Sequence, residues 1–172
     1  MQQLSPTSAT VPEDRREPCA ENFDFLIGRW RVRHHRLKQR LQGCTEWDDF
    51  PGTCQCWPLL HGQGNVDDNV LEFPQGHYRA ASLRAFDPRT RQWAIWWLDA
   101  RLSDRLDVAV RGGFTNGAGL FLADDTFEDR PIRVRFIWSR LGPGRARWEQ
   151  AFRRSTEETW ETNWVMEMSK ET

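Results

Sequence analysis

From Trp30 onward, apolar and polar residues alternate with a period of two, and helical spacing is scarce. The C-terminal third is the clearest case. Val134, Phe136 and Trp138 share one strand face; Ala146, Trp148, Gln150 and Phe152 share a second; Trp160, Thr162, Trp164, Met166 and Met168 share a third. The opposite faces carry Arg133 and Arg135, then Arg145, Arg147, Glu149 and Arg153, then Glu161, Asn163 and Glu167. A slip of one residue would turn each of these sets to the wrong side, so register is strongly specified.

Turn residues punctuate the alternation at Asp87-Pro88, Asn116-Gly117, Asp129-Arg130-Pro131 and Gly142-Pro143-Gly144. Between them the pattern predicts strands near 30–40, 44–57, 64–73, 78–87, 91–102, 106–115, 118–124, 132–141, 145–154 and 159–170. Short strands at this spacing predict an all-β chain, folded as a single antiparallel up-and-down barrel. A short helical turn is predicted around 21–27, where Phe23, Leu26 and Ile27 can plug one end. Residues 1–21, with Pro6, Pro12 and Pro18 among Ser, Thr and charged residues, read as a mobile tail ahead of a domain spanning 22–172.

Composition sharpens the picture of the interior. Ten Trp and ten Phe stand beside a single Tyr, and each large aromatic can bury roughly 150–250 Å². A barrel of this chain is therefore walled by rings. The formal net charge of −1 gives no long-range pull toward nucleic acid or an anionic bilayer. The N-terminal segment lacks the basic and apolar regions of a signal peptide, and no run approaches the ~18–20 apolar residues that span a bilayer. These features predict a cytoplasmic protein without membrane insertion or a nucleic-acid partner. Cys19, Cys44, Cys54 and Cys56 are then expected reduced, and their spacing matches no metal site.

Candidate chemistry follows from strand parity. His34 shares a face with Trp30 and Val32 and is expected inward, His35 outward with Arg31 and Arg33. Arg36 and Lys38 fall near the strand end, where they can attract an anionic head group such as a carboxylate. Arg84 lies among Ala80, Ala81, Ser82 and Ala85, and if it faces inward it needs a partner, for which Asp99 is the candidate. Asp67-Asp68 and Asp124-Asp125 read as turn or strand-edge carboxylates. Trp97 shares a face with Trp93, Ile95 and Asp99, and Trp96 shares the other with Ala94 and Leu98; which of the two tryptophans faces inward stays open. The outward one makes an apolar patch, which predicts a homodimer through this hairpin.

The segments FDFLIGRW, GNVDDNVLEF, FDPRTRQWAIWWLD and WETNWVMEM resemble a family of uncharacterised bacterial lipocalin-like proteins, over most of residues 22–170. Gly28-Arg29-Trp30 is similar to the Gly-x-Trp signature of the wider calycin group, which includes lipocalins, fatty-acid-binding proteins and nitrobindin-like haem barrels. The resemblance implies that Trp30 closes the barrel floor under a basic side chain of the last strand, here Lys170. Nitrobindin-like barrels hold haem through a histidine on a late strand. The last histidine of this chain is His77, so no cofactor is expected.

The expected ligand-facing set is His34, Arg84, Trp97, Phe136, Trp138, Trp148, Gln150, Trp164 and Met166, around a small, mostly apolar molecule. No Gly-x-Ser-x-Gly elbow, P-loop, dinucleotide fingerprint or His-Glu-x-x-His occurs. Two other readings stay open: an enzyme acting on a small hydrophobic or aromatic acid, with His34 or Asp99 moving a proton, and an interaction module filled solid by its own tryptophans. Interior volume separates them, since small-molecule pockets run from about 300 Å³ upward.

Overall fold

The computed structural model of this chain describes residues 23–171, so the predicted tail and Cys19 lie outside the described residues. Ten strands follow one another: β1 (Gly28–Leu37), β2 (Trp47–Leu59), β3 (Gly64–Phe73), β4 (Gly76–Asp87), β5 (Gln92–Asp99), β6 (Val110–Thr115), β7 (Ala118–Phe127), β8 (Arg130–Gly142), β9 (Arg145–Arg154) and β10 (Glu161–Lys170). Each pairs antiparallel with its neighbours in sequence, and β1 pairs with β10 to close the barrel. The predicted all-β up-and-down barrel is the observed fold. Closure gives every strand a partner on each side, which is how such a chain satisfies most of its strand backbone groups.

One end is plugged. The 3₁₀ turn Phe23–Leu26 inserts Phe23, fully buried, edge-on to Trp93, Phe114 and Trp138 and stacked on Phe121. Trp30, 1% exposed, donates its indole N–H to the Leu26 carbonyl at 2.7 Å. Lys170 holds its ammonium 5.5 Å from the Trp30 ring centroid. Gly28 adopts φ +117°, and a Cβ there would stand 3.0 Å from the Lys170 Cε. The backbone conformation is what requires glycine here, and the absence of a side chain lets the lysine cross closely.

Two irregularities shape the other end, the mouth. A bulge in β10 between Thr162 and Trp164 sets Thr162 opposite Ala151 and Glu161 opposite Phe152. Asn163 is fully buried. The alternation read from the sequence therefore breaks here: Glu161 shares the inward row of Phe152, while Trp160 and Thr162 leave it. Trp160 instead lies beneath the outer guanidinium groups of Arg135 and Arg153, 4.6 and 5.2 Å from its ring centroid. The second irregularity lies between β5 and β6, which pair only through Trp93, Ala94 and Ile95. Beyond Ile95 the chain turns through the 3₁₀ segment Ala100–Leu102, and among the described residues a single crossing backbone hydrogen bond, from the Asp107 N–H to the Trp97 carbonyl (2.9 Å), spans the gap.

Candidate functional site

Inside the barrel, between plug and mouth, lies a cavity of about 240 Å³. Trp97, Phe136, Trp138, Trp148, Trp164 and Met166 line it, together with Arg84 and Gln150. The rings meet edge-on: Trp148 stands at 79° to Trp164 and at 75° to Phe136, and Trp97 at 80° to Trp164. Such T-shaped packing matches the electron-poor edge of one ring to the electron-rich face of the next. Trp97 is the inward member of its pair, opposite Ser82, whereas Trp96 pairs with Leu83.

His34 is placed differently from the rest of the expected set. It is 2% exposed and sits behind the wall, stacked on Phe50 at 4.6 Å with the rings 8° from parallel. Its Nδ1 accepts the Trp164 indole N–H at 3.2 Å, so the ring orients a wall residue. An accepting Nδ1 needs a neutral ring. Burial, and then the charge of Arg36, push His34 down to about 3.

The polar floor of the cavity is a network on β3 and β4. Arg84, 2% exposed, reaches Asp67 Oδ2 at 2.7 Å and Asn65 Oδ1 at 3.0 Å. Its guanidinium also stands 5.3 Å from the Phe23 ring centroid and 5.4 Å from that of Trp138. Asp67 accepts further bonds from Asn69 Nδ2 (2.6 Å) and the Ser82 N–H (2.8 Å). Burial is the largest single influence and pulls Arg84 down, but the Asp67 charge, its hydrogen bond and the neighbouring Cys54 and Cys56 together outweigh it and the net shift is upward. Two expectations are corrected here. The partner of Arg84 is Asp67, not Asp99, because Arg84 pairs across with Asn65 and Ile95, two positions from Asp67. Asp67 is a buried interior carboxylate rather than a turn or edge group. Asn65, Asp67 and Asn69 form an inward polar row that the apolar pattern of Val66 and Val70 disguises. The signal that would have found it is the inward Arg84 on the adjacent strand.

Gln150 donates to Asn163 Oδ1 at 2.8 Å, so the bulge supplies the partner that its burial demands. The indole N–H of Trp138 is buried with no partner among the described residues. Cys54 and Cys56 face inward, and burial drives both thiols up, Cys56 to about 12. They are protonated, poor nucleophiles and poor metal ligands. Among the described residues, no group of three or more His, Cys, Asp or Glu side chains is arranged to hold a metal ion.

The mouth is charged. Arg36, Arg40, Tyr78, Asp99, Arg101, Asp107 and Asp125 all border it. Arg101 grips Asp99 through two nitrogens, at 2.9 and 2.6 Å, and covers the Tyr78 ring at 3.7 Å. That grip holds Asp99 below the usual carboxylate range, and so ionised and engaged. Arg36 and Arg40 differ. Arg36 lies over Phe73 and Trp164 at 5.2 and 4.9 Å, and Arg40 over Phe152 and Trp164 at 5.4 and 5.9 Å. Arg36 Nε and Arg40 Nη2 are buried with no hydrogen-bond partner among the described residues. Burial, and then the neighbouring Arg36, push Arg40 down to about 9. A ring beneath a cation returns about 0.5–2 kcal/mol, less than the several kcal/mol that stripping water from it costs. Lys38, the other basic residue expected at the mouth, points away and pairs with Glu46 at 3.0 Å.

No protein-family model matches the chain, and no curated protein matches it.

Proposed function

We propose that this lipocalin-like barrel binds a small, mostly apolar molecule in its interior. The observation that carries the reading is the cavity of about 240 Å³ walled by Trp97, Phe136, Trp138, Trp148, Trp164 and Met166. An apolar enclosure with a few polar groups is the usual form of a small-molecule site. The volume falls below the roughly 300 Å³ at which drug-sized pockets begin, which favours a compact ligand over a long-chain lipid. The unpartnered Trp138 N–H gives the deep end a polar contact, and the Gln150 side chain gives another nearer the mouth, level with Trp164. His34 supports the site indirectly, by orienting Trp164.

Ligand entry should quench or shift the fluorescence of the wall tryptophans and raise the melting temperature. Val134→Phe puts a ring into the space and should abolish both responses. A panel of small aromatic and alkyl acids, alcohols and haem that moves neither signal would overturn the reading.

A homodimer is the second element of the proposal, and the outer surface favours it. Trp57, Val66, Leu83 and Trp96 stand in register across four strands on the outside of the barrel. Trp57 is 43% exposed and the adjacent Leu60 62%. The row has an indole at each end and aliphatic side chains between. A two-fold axis through its centre would therefore lay Trp57 of one copy on Trp96 of the other, as an isologous interface requires. Light scattering should give twice the monomer mass for the native chain and the monomer mass for Leu83→Glu. A monomeric native chain at micromolar concentration would sink this element.

A further inference from the structure

We infer that the molecule taken up by the cavity is a carboxylic acid, bound as its anion, with the carboxylate against Arg36 and Arg40 and the apolar body directed inward along Trp164. The inference rests on the binding reading above and names the class of ligand for the same cavity.

The chain provides counter-ions for its other interior and mouth arginines. Arg84 has Asp67 and Arg101 has Asp99. Among the described residues no carboxylate forms a salt bridge with Arg36 or Arg40, although both line the cavity and carry a buried, unpartnered nitrogen. Glu161, three residues before Trp164, spends an oxygen on the Leu41 N–H at 2.7 Å. Guanidinium groups do not readily give up their proton, so these two charges persist in a desolvated place and favour an anion from outside the chain. Their planar forks suit a carboxylate, and Tyr78 beside them offers a hydroxyl. Asp99, Asp107 and Asp125 border the same mouth. A dianion such as phosphate doubles its attraction to the arginines and its repulsion from these aspartates alike, but its desolvation cost rises with the square of its charge, which favours a singly charged head group. The rings beneath the guanidinium groups continue into the cavity wall, so charge and apolar body are bound by one continuous surface.

Tryptophan fluorescence with matched pairs tests the class. Octanoate and phenylacetate should bind about tenfold or more tighter than octanol and phenylethanol, as charge-assisted pairing implies. The gap should narrow in high salt and close in the double variant Arg36→Gln/Arg40→Gln. If that variant does not fold, Arg40→Gln alone should still narrow it. Equal binding of acid and alcohol, tighter binding of inorganic phosphate than of the acids, or a gap that survives the double variant would overturn the inference. Alcohols that bind while acids do not would refute the acid and leave the cavity reading standing. If neither binds, both fall.

Discussion

Single residues carry the geometry of the cavity wall, and Gly52 and His34 show how. A Cβ on Gly52 would stand 2.5 Å from the Val70 carbonyl oxygen and 2.7 Å from the His34 Nε2. Neither contact is sterically tolerable, and the first is to backbone that cannot swing away. Gly52→Ala should therefore destabilise the barrel by about 1–3 kcal/mol, measured by chemical denaturation, and should loosen Trp164 through His34. The histidine also fixes a pH response. The usual histidine value is 6.5 and that of His34 about 3. Above pH 6.5 neither the folded nor the unfolded state holds the proton, and the contribution of His34 to stability is complete. Below it the unfolded chain takes up a proton that the folded chain refuses, so stability falls until about pH 3. One such group contributes at most about 1.4 kcal/mol per pH unit. His34→Gln should flatten the acid limb of a stability-against-pH curve by up to that slope; an unchanged limb would contradict the buried neutral ring.

At the scale of elements, the sequence disclosed most of what regular alternation can disclose. Ten strands were legible, because polar and apolar residues trade places at every step over most of β8, β9 and lower β10. The bulge was not. One inserted residue leaves the local composition of β10 unchanged while moving Trp160 and Thr162 off the inward row and admitting Glu161. Nor was the polar row of β3, whose outward Val66 and Val70 mimic an apolar inner face. The starts of β2 and β6 came later than the pattern suggested, at Trp47 and Val110, because the residues before them run as connections at the mouth. Asn163 is the point where the bulge earns its structural role, as the partner of Gln150. Asn163→Ala should leave the Gln150 amide buried and unpaired, at about 1–3 kcal/mol, seen as a lower denaturation midpoint with an unchanged m-value.

The described barrel is held by the buried Arg84–Asp67 ion pair as well as by its rings. Removing half of that pair leaves an uncompensated charge in the core, so Asp67→Asn should cost about 3–5 kcal/mol. Replacing both partners, as in Asp67→Leu/Arg84→Met, should recover most of the loss, and a double variant as unstable as the single would show that Asp67 acts chiefly through Asn69 and Ser82. The sequence pointed to six of the aromatic and aliphatic wall groups and to Arg84 and Gln150. It could not point to Arg40, which follows the end of β1 and folds back over Trp164.

Only three residue pairs stitch β5 to β6, against ten between β1 and β2. A cylinder with one short seam breathes there first, because the cost of a local opening scales with the bonds it must break. Amide hydrogens of Trp97 to Asp107 should exchange with solvent long before those of β1 and β2. If the seam is also the door, the residence time of a ligand is set by how often these few bonds part, and tightening them would slow arrival and departure alike without changing the affinity.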